Sequence, residues 1–436
     1  MIKNIGIFKD FSDNSLKSVF DIGNNQIIEM TLLANKEQMD VICVPTHHFC
    51  NLGCKMCHLT NKGLNKSMVP IKSDDFIKCL IQTLTKQGER RTSKKKLLIS
   101  FMGVGEPLLN LKLIEEVYKM ENIIKDKLGY ENIGYALATM MPNNNILKLT
   151  ELVNRLNIPL KIHFSMHTPI DNNRFDLIPS TKVTVEEALT YLIHYRNNLQ
   201  SNDKIMSEYI KLHRTNDPVE IHYTLIKDVN DSQKELKKVC ELLSKYRIPI
   251  KFIRFNPLND LKISENEQIW IDEISKKVSG LRIKTYSPPG REIGSSCGEF
   301  TKHYYHQEIE TEEEKNEFEK WKAKHQIFQQ QRDDNFSWDE YFDDAPLNTK
   351  YMYVVPAERN TILNYQEIHK NFENTKIYVN LFPYNEYAKE DIYLSDKYAK
   401  RNETIASKKP SNVCEATYKQ LDKIKQKVLK LSLEVK

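Results

Sequence analysis

The chain has 436 residues, 40% of them hydrophobic and 28% charged, with a formal net charge of +5. That length has room for two or three domains and a large core, and the composition excludes a disordered, collagenous or disulfide-stapled protein. The N-terminal stretch lacks the apolar run of a secretory signal, and nothing approaches the ~18 uninterrupted apolar residues of a membrane span, so a cytoplasmic address without membrane contact is expected. In that compartment the eight cysteines should be reduced, hence available to metals or catalysis. Charge is unevenly spread. Residues 301–436 hold 22 Lys/Arg against 24 Asp/Glu, so the basic excess sits in the first 300 residues, which is compatible with an RNA partner.

Residues 3–34 alternate loosely and read as a short β extension. From there apolar β-type runs alternate with amphipathic helical patterns. Strands are expected at Asp40–Pro45, Lys96–Met102, Ile133–Thr139, Leu160–Met166, Glu220–Ile226 and Ile250–Asn256. Helices are expected at Ser73–Lys86, Leu111–Lys127, Asn145–Asn157, Thr184–Asn197, Ser232–Tyr246 and Glu265–Val278, with Ser73 and Ser232 as N-caps. Six β–α repeats predict a parallel sheet, and motifs gathered after successive strands choose a partial (β/α)6 barrel over an open doubly wound sheet. Glu308–Asp344, with 13 acidic and five basic residues, reads as a charged linker that is partly helical. Beyond it, Tyr351–Val355 and Lys376–Phe382 are strand-like and Lys419–Leu433 is a basic amphipathic helix candidate. The expected division is a β extension (1–42), a barrel (43–305), an acidic linker (306–345) and a C-terminal α+β module (346–436).

The most specific signal follows the first barrel strand, in Cys50-Asn-Leu-Gly-Cys54-Lys-Met-Cys57. Three thiolates on one short loop suit three irons of a 4Fe–4S cluster, leaving the fourth iron open to chelate S-adenosylmethionine and deliver the electron that cleaves it. Zinc is the competing reading, kept alive by His47, His48 and His58, although structural zinc usually takes two Cys or Cys/His pairs. After the second strand comes Phe101-Met-Gly-Val-Gly105-Glu106-Pro107. Its glycines are expected to open space for the methionine part of the cofactor, and Glu106 to take the ammonium group. Cys79, Cys240 and Cys414 read as small core hydrophobes. Cys43 is equally compatible with core packing and with chemistry. Cys297, on a Gly/Ser-rich loop, is harder to explain as packing.

These segments resemble the radical S-adenosylmethionine RNA adenine methyltransferases of the RlmN/Cfr family. That family's Cys-Val-Ser-Ser-Gln-Val-Gly-Cys is matched here by Cys43-Val-Pro-Thr-His-His-Phe-Cys50. Its Phe-Met-Gly-Met-Gly-Glu-Pro-Leu-Leu-Asn is matched by Phe101–Asn110 with one substitution. Its Ser-Leu-His, with a following Arg and Pro, is similar to Ser165-Met-His167, Arg174 and Pro179. Asp228-Val-Asn-Asp-Ser232, Asn256-Pro257 and Ser296-Cys297-Gly-Glu-Phe300 resemble three further family segments. The likeness covers about residues 25–305.

The resemblance implies that Cys297 is methylated by one S-adenosylmethionine and that a second is cleaved at the cluster. The S-methyl radical then adds to carbon 2 or carbon 8 of an adenine. Cys43 removes the ring proton and resolves the protein–RNA adduct through a disulfide with Cys297. It implies Glu29 as a proton acceptor, and Gly105, Glu106, Ser165, His167 and Asn256 around the cofactor. Flavodoxin or ferredoxin is the implied electron donor, and ribosomal or transfer RNA the implied substrate. Departures from the family pattern are Met56 in place of an aromatic, Ala138 in place of a serine, and a largely missing N-terminal helical domain. Two alternatives stay open: the same chemistry on a nucleotide, small molecule or protein, and a non-catalytic iron–sulfur or zinc protein.

Overall fold

The computed structural model describes residues 2–24, 26–33, 39–61, 68–85, 95–296, 298–300 and 312–328. Three antiparallel strands come first: β1 (Lys3–Lys9), β2 (Leu16–Asp21) and β3 (Ile27–Leu33). β3 pairs antiparallel with β4 (Asp40–Val44), which joins the expected β extension to the barrel. There follow α1 (His58–Asn61), α2 (Ser73–Thr85), β5 (Lys96–Phe101), α3 (Leu111–Lys119), α4 (Glu121–Leu128), β6 (Asn132–Thr139), α5 (Ile146–Leu156) and β7 (Leu160–Ser165). The second half comprises α6 (Asp171–Leu177), α7 (Val185–Gln200), α8 (Asp203–His213), β8 (Val219–Tyr223), α9 (Gln233–Tyr246), β9 (Ile250–Ile253), α10 (Glu267–Lys277) and β10 (Ile283–Tyr286). α11 (Glu312–His325) and β11 (Gln326–Phe328) come last.

One sheet holds all these strands in the order β10-β9-β8-β7-β6-β5-β4-β3-β2-β1-β11, parallel from β4 to β10. Among the described residues the sheet does not close on itself, as expected of a partial barrel. All six anticipated strands are present, and β10 adds a parallel strand that periodicity does not reveal. Ile283-Lys-Thr-Tyr286 is too short and too exposed to show an apolar run. The helical pattern 111–127 is two helices rather than one, with Met120 capping the end of α3 and opening α4. Ser232 caps α9 as expected, accepting from the Glu235 N–H at 3.2 Å. Ser73 instead lies inside the first turn of α2.

The parallel strands have two chemically different faces. Ile42, Val44, Ile99, Phe101, Leu137 and Phe164 point outward into the apolar core shared with the helices. Their neighbours point inward: Ser100, Ala136, Ala138, Ser165 and Thr224 are small or polar and border a cavity. Helices cover only the outer face, so large apolar residues are required there and not within. The first part of the expected linker is built into the sheet. β11 pairs antiparallel with β1, and Trp321 of α11 stacks on Phe8 at 5.0 Å. The expected strands and helix of residues 346–436 lie outside the described residues. No helix among the described residues is long and apolar enough to cross a membrane.

Candidate functional site

The loop leaving β4 carries the three cysteines, and all three border one cavity of about 370 Å³ inside the barrel. Local backbone bonds shape that loop. Cys57 N–H donates to Cys54 O at 3.0 Å, Lys55 N–H to Leu177 O at 3.0 Å, and His58 N–H to Gly298 O at 2.9 Å. The thiols are set in apolar surroundings, with Phe49, Leu59, Val104 and Phe300 on one side and Leu52, Leu177 and Ile178 on the other. Burial pushes the Cys50 thiol up to about 12, and Cys54 and Cys57 move in the same direction for the same reason. Three thiols that cannot ionise alone, converging on one cavity, fit a cationic iron–sulfur cluster that supplies the missing positive charge. His47 and His48 are buried, and burial holds His47 down to about 4; His47 Nδ1 is bonded to Thr46 and His48 Nδ1 to Ile27 O.

Glu106 stands at the end of β5, 1% exposed and bordering the same cavity. Its two oxygens accept from Leu108 N–H (3.0 Å) and Met140 N–H (2.9 Å), so the carboxylate ties the β5 loop to the end of β6. Burial nevertheless raises it to about 7, leaving it ready to be ionised by a bound ammonium. The glycines before it serve a purpose beyond the one expected. A Cβ on Gly103 would lie 2.9 Å from Pro45 N, and one on Gly105, whose φ is +104°, 2.5 Å from His47 Nδ1. They let two loops of the rim touch while bordering the cavity themselves, so close backbone packing by itself demands glycine there.

Ser165, His167 and Asn256 border the cavity and are nearly buried, as the sequence reading placed them. His167 is held at φ +56° by neighbours on β8 and its loop. Asn230 Nδ2 donates to His167 O, and Thr224 N–H donates to His167 Nδ1 at 3.2 Å. Burial, helped by Arg174, pushes His167 down to about 3. With Nδ1 accepting, the neutral ring carries its proton on Nε2. Arg174 is fully buried and donates to Thr181, Val183 O and Met140 O, fastening α6 beneath the cysteine loop.

Cys43 lies on β4, 8% exposed, in the same apolar cluster as Phe300, Cys50 and Cys57. Its partner across the antiparallel ladder is Thr31, whose hydroxyl donates to Ser295 Oγ at 2.9 Å. Cys297 itself lies outside the described residues, but both sides of it are anchored. Gly290 N–H donates to Asp13 (2.6 Å), Glu292 N–H to Asp10 (3.0 Å), and Gly298 abuts Met56 and Cys57. Glu29, also on β3, is buried in an ion pair with Lys17 at 3.7 Å and does not border the cavity. Lys17 in turn lies under the rings of Phe8 and Trp321.

No family model matches the chain. It is 27% identical over 296 residues to the probable dual-specificity RNA methyltransferase RlmN of Clostridioides difficile, covering 67% of this chain and 77% of that protein. It is 25% identical over 292 residues to the dual-specificity RNA methyltransferase RlmN of Alcanivorax borkumensis, covering 66% and 71%. By sequence, this chain is similar to proteins named as RlmN methyltransferases, at about a quarter identity. In fold, the chain is similar to a crystal structure of a radical SAM methyltransferase from Sphaerobacter thermophilus, with a TM-score of 0.53 at 18% identity, over 68% of this chain and 80% of that one.

The site also holds residues that the motifs do not announce. Below Ser165, the inner face of β7, β8 and β9 carries Lys161, His163, Glu220, His222 and Lys251, of which His163, His222 and Lys251 border the cavity. Glu220 is fully buried, 2.8 Å from Lys251 Nζ, 3.2 Å from Lys161 Nζ and 3.1 Å from His163 Nδ1. Polar residues at every second position of Leu160–Ser165 and Val219–Tyr223 were the available signal. It was hidden because both segments also contain the apolar residues of the outer face.

Proposed function

We propose that this chain is a radical S-adenosylmethionine methyltransferase that methylates an adenine ring carbon in RNA, with Cys297 as methyl carrier and Cys43 as the resolving thiol. One observation carries the reading. The cysteine triplet borders one cavity together with Gly298 and Phe300 that follow Cys297, Cys43 packs in the same apolar cluster as Phe300, Cys50 and Cys57, and Thr31, its partner across the ladder, is hydrogen-bonded to Ser295. Cys50, Cys54 and Cys57 would hold a 4Fe–4S cluster, whose open iron supplies one-electron cleavage of S-adenosylmethionine. Glu106 accepts the cofactor's ammonium group, and that charge ionises a carboxylate otherwise raised to about 7. His167 offers an Nε2–H donor and Ser165 a hydroxyl from the opposite wall of the cavity.

An adenine C–H is not nucleophilic, so direct methyl transfer is unavailable to it. A carrier sulfur that can leave as part of a disulfide removes that obstacle, and this is the chemical reason for two thiols beyond the triplet. Glu29, buried beside Lys17 at 3.7 Å, keeps the proton-acceptor role that the family likeness implies. The RNA substrate rests on the names of the relatives, and a reduced flavodoxin or ferredoxin is the electron donor such chemistry needs. Nucleoside mass spectrometry of RNA from cells with and without the gene tests the proposal. Appearance of 2- or 8-methyladenosine only with the gene is the expected result, and identical nucleoside profiles would refute an RNA substrate. Intact-protein mass of purified enzyme should show one added methyl group on Cys297.

A further inference from the structure

The inner end of the cavity takes no part in that chemistry, yet it holds a cluster of charged groups around the fully buried carboxylate of Glu220. Lys161, Lys251 and Arg282 all approach the single carboxylate of Glu220, Arg282 at 3.9 Å. Arg282 also lies 4.0 Å from Asp217, and Lys284 is close enough for Lys251 and Arg282 to press on it electrostatically. Two lysines, Lys161 and Lys251, therefore share the one buried carboxylate of Glu220, with the partly exposed Arg282–Asp217 pair beside them. The two imidazoles between them do not restore the balance. Burial pushes His163 down to about 3 and lowers His222 as well, so both are neutral. His222 Nε2 has no hydrogen-bond partner among the described residues, and it borders the cavity together with His163, Lys251 and the further cation Arg254.

Two plainer explanations fit less well. His163, Glu220 and His222 offer three ligand atoms within 4.8 Å of one another, the makeup of a divalent-metal site. Two ammonium groups already sit 2.8 and 3.2 Å from that carboxylate, and a third cation would meet their repulsion. An ion-pair plug that merely closed the barrel would match charge for charge, whereas this cluster leaves positive charge uncompensated at the end of an open cavity. The side chains above it, Ser100, Ala136, Ala138 and Ser165, are small and leave a path from the rim.

We propose that the inner end of the cavity binds a phosphate group, free or carried by a small molecule held inside the barrel, with Lys251 making the first contact and Lys161 and His222 beside it. The site stands apart from the methyl relay and does not depend on RNA being the substrate. Two sources of the anion are chemically equivalent here: free phosphate, and the phosphate of a nucleotide; the carboxylate of S-adenosylmethionine stays at the rim, next to the ammonium group that Glu106 takes.

Calorimetric titration of full-length, cluster-reconstituted protein with inorganic phosphate, adenosine 5′-monophosphate, adenosine and S-adenosylmethionine tests the site. The monophosphate should bind at least about tenfold more tightly than adenosine, and Lys251→Met should remove that difference, whereas Lys251→Arg should keep it. If Lys251→Met instead weakens only S-adenosylmethionine, the inner end serves the cofactor bound from the rim and the proposal is overturned. Equal binding of adenosine and its monophosphate together with unchanged S-adenosylmethionine affinity in Lys251→Met overturns the proposal. So does a stoichiometric divalent metal other than iron in purified protein. Thermal unfolding of both Lys251 variants shows whether each is folded, and the nucleoside experiment above judges the RNA reading separately.

Discussion

The rim and the floor of the cavity are equally buried and electrostatically opposite. At the rim, burial dominates: the thiols of Cys50, Cys54 and Cys57 are pushed up, and Glu106 is raised to about 7 despite two backbone donors. At the floor, burial also pushes Glu220 up, but contact with His163 and the charges of Lys161 and Lys251 overcome it and hold the carboxylate well below its usual range. Burial alone thus does not decide ionisation; the neighbours do. The rim lacks positive charge and suits a cationic cluster, whereas the floor has a surplus of it and suits an anion.

The sharpest way to break this contrast is at the rim. Replacing any one of Cys50, Cys54 or Cys57 with Ala should abolish cluster iron and reductive cleavage of S-adenosylmethionine, read by iron content and 5′-deoxyadenosine release. A variant that keeps both would show that the triplet is not the cluster site. At the floor, Glu220→Gln removes the one shared counter-charge and strands buried ammonium groups. It should destabilise by about 3–5 kcal/mol in urea unfolding. Loss of less than about 1 kcal/mol would mean that the lysines are already neutral or solvated.

The two carboxylates also predict opposite pH behaviour. Glu106 is raised in the folded apo protein, so its contribution is fully present below its ordinary value of 4.5 and is lost as pH rises through about 7. Glu220 is depressed, so its contribution is present above 4.5 and is lost only as pH falls through its lower folded value. Apo protein carrying Glu106→Gln should lose the downward slope of stability between those limits, and an unchanged slope would assign it to another group. A smaller effect is expected at the loop anchors. Asp10→Asn and Asp13→Asn should each cost about 1 kcal/mol of stability while lowering methyl occupancy of Cys297 more than cofactor cleavage. Equal loss of both activities would make the anchors merely structural. Least of all, Asp176→Ala breaks an exposed pair with Lys55 and should leave the melting midpoint unmoved.

Local patterns sufficed for much of the fold. The apolar runs of β4 to β9 and the helical periodicities between them are read from neighbours a few residues apart, and so is the cysteine triplet. β10 escaped because a short edge strand with exposed Lys284 and Thr285 carries little burial. α11 escaped as a packed element because its charges read as a linker, while the contacts that seat it, among them Trp321 on Phe8 and the Trp321 Nε1–H donated to Glu292 O, join distant segments. Glu29 matched a family position by alignment, yet its burial partner Lys17 comes from the neighbouring strand, which alignment does not see.

Sequence by itself determined the β–α alternation, the three-thiol loop and the Gly-Glu-Pro turn after β5, because each is a property of residues close in the chain. Tertiary structure alone decided which half of each strand faces inward, that Gly103 and Gly105 serve loop-to-loop contact, and that Lys161, Glu220 and Lys251 meet at one point. Those outcomes depend on register between parallel strands separated by whole helices, and no local periodicity encodes which side chains that register brings together.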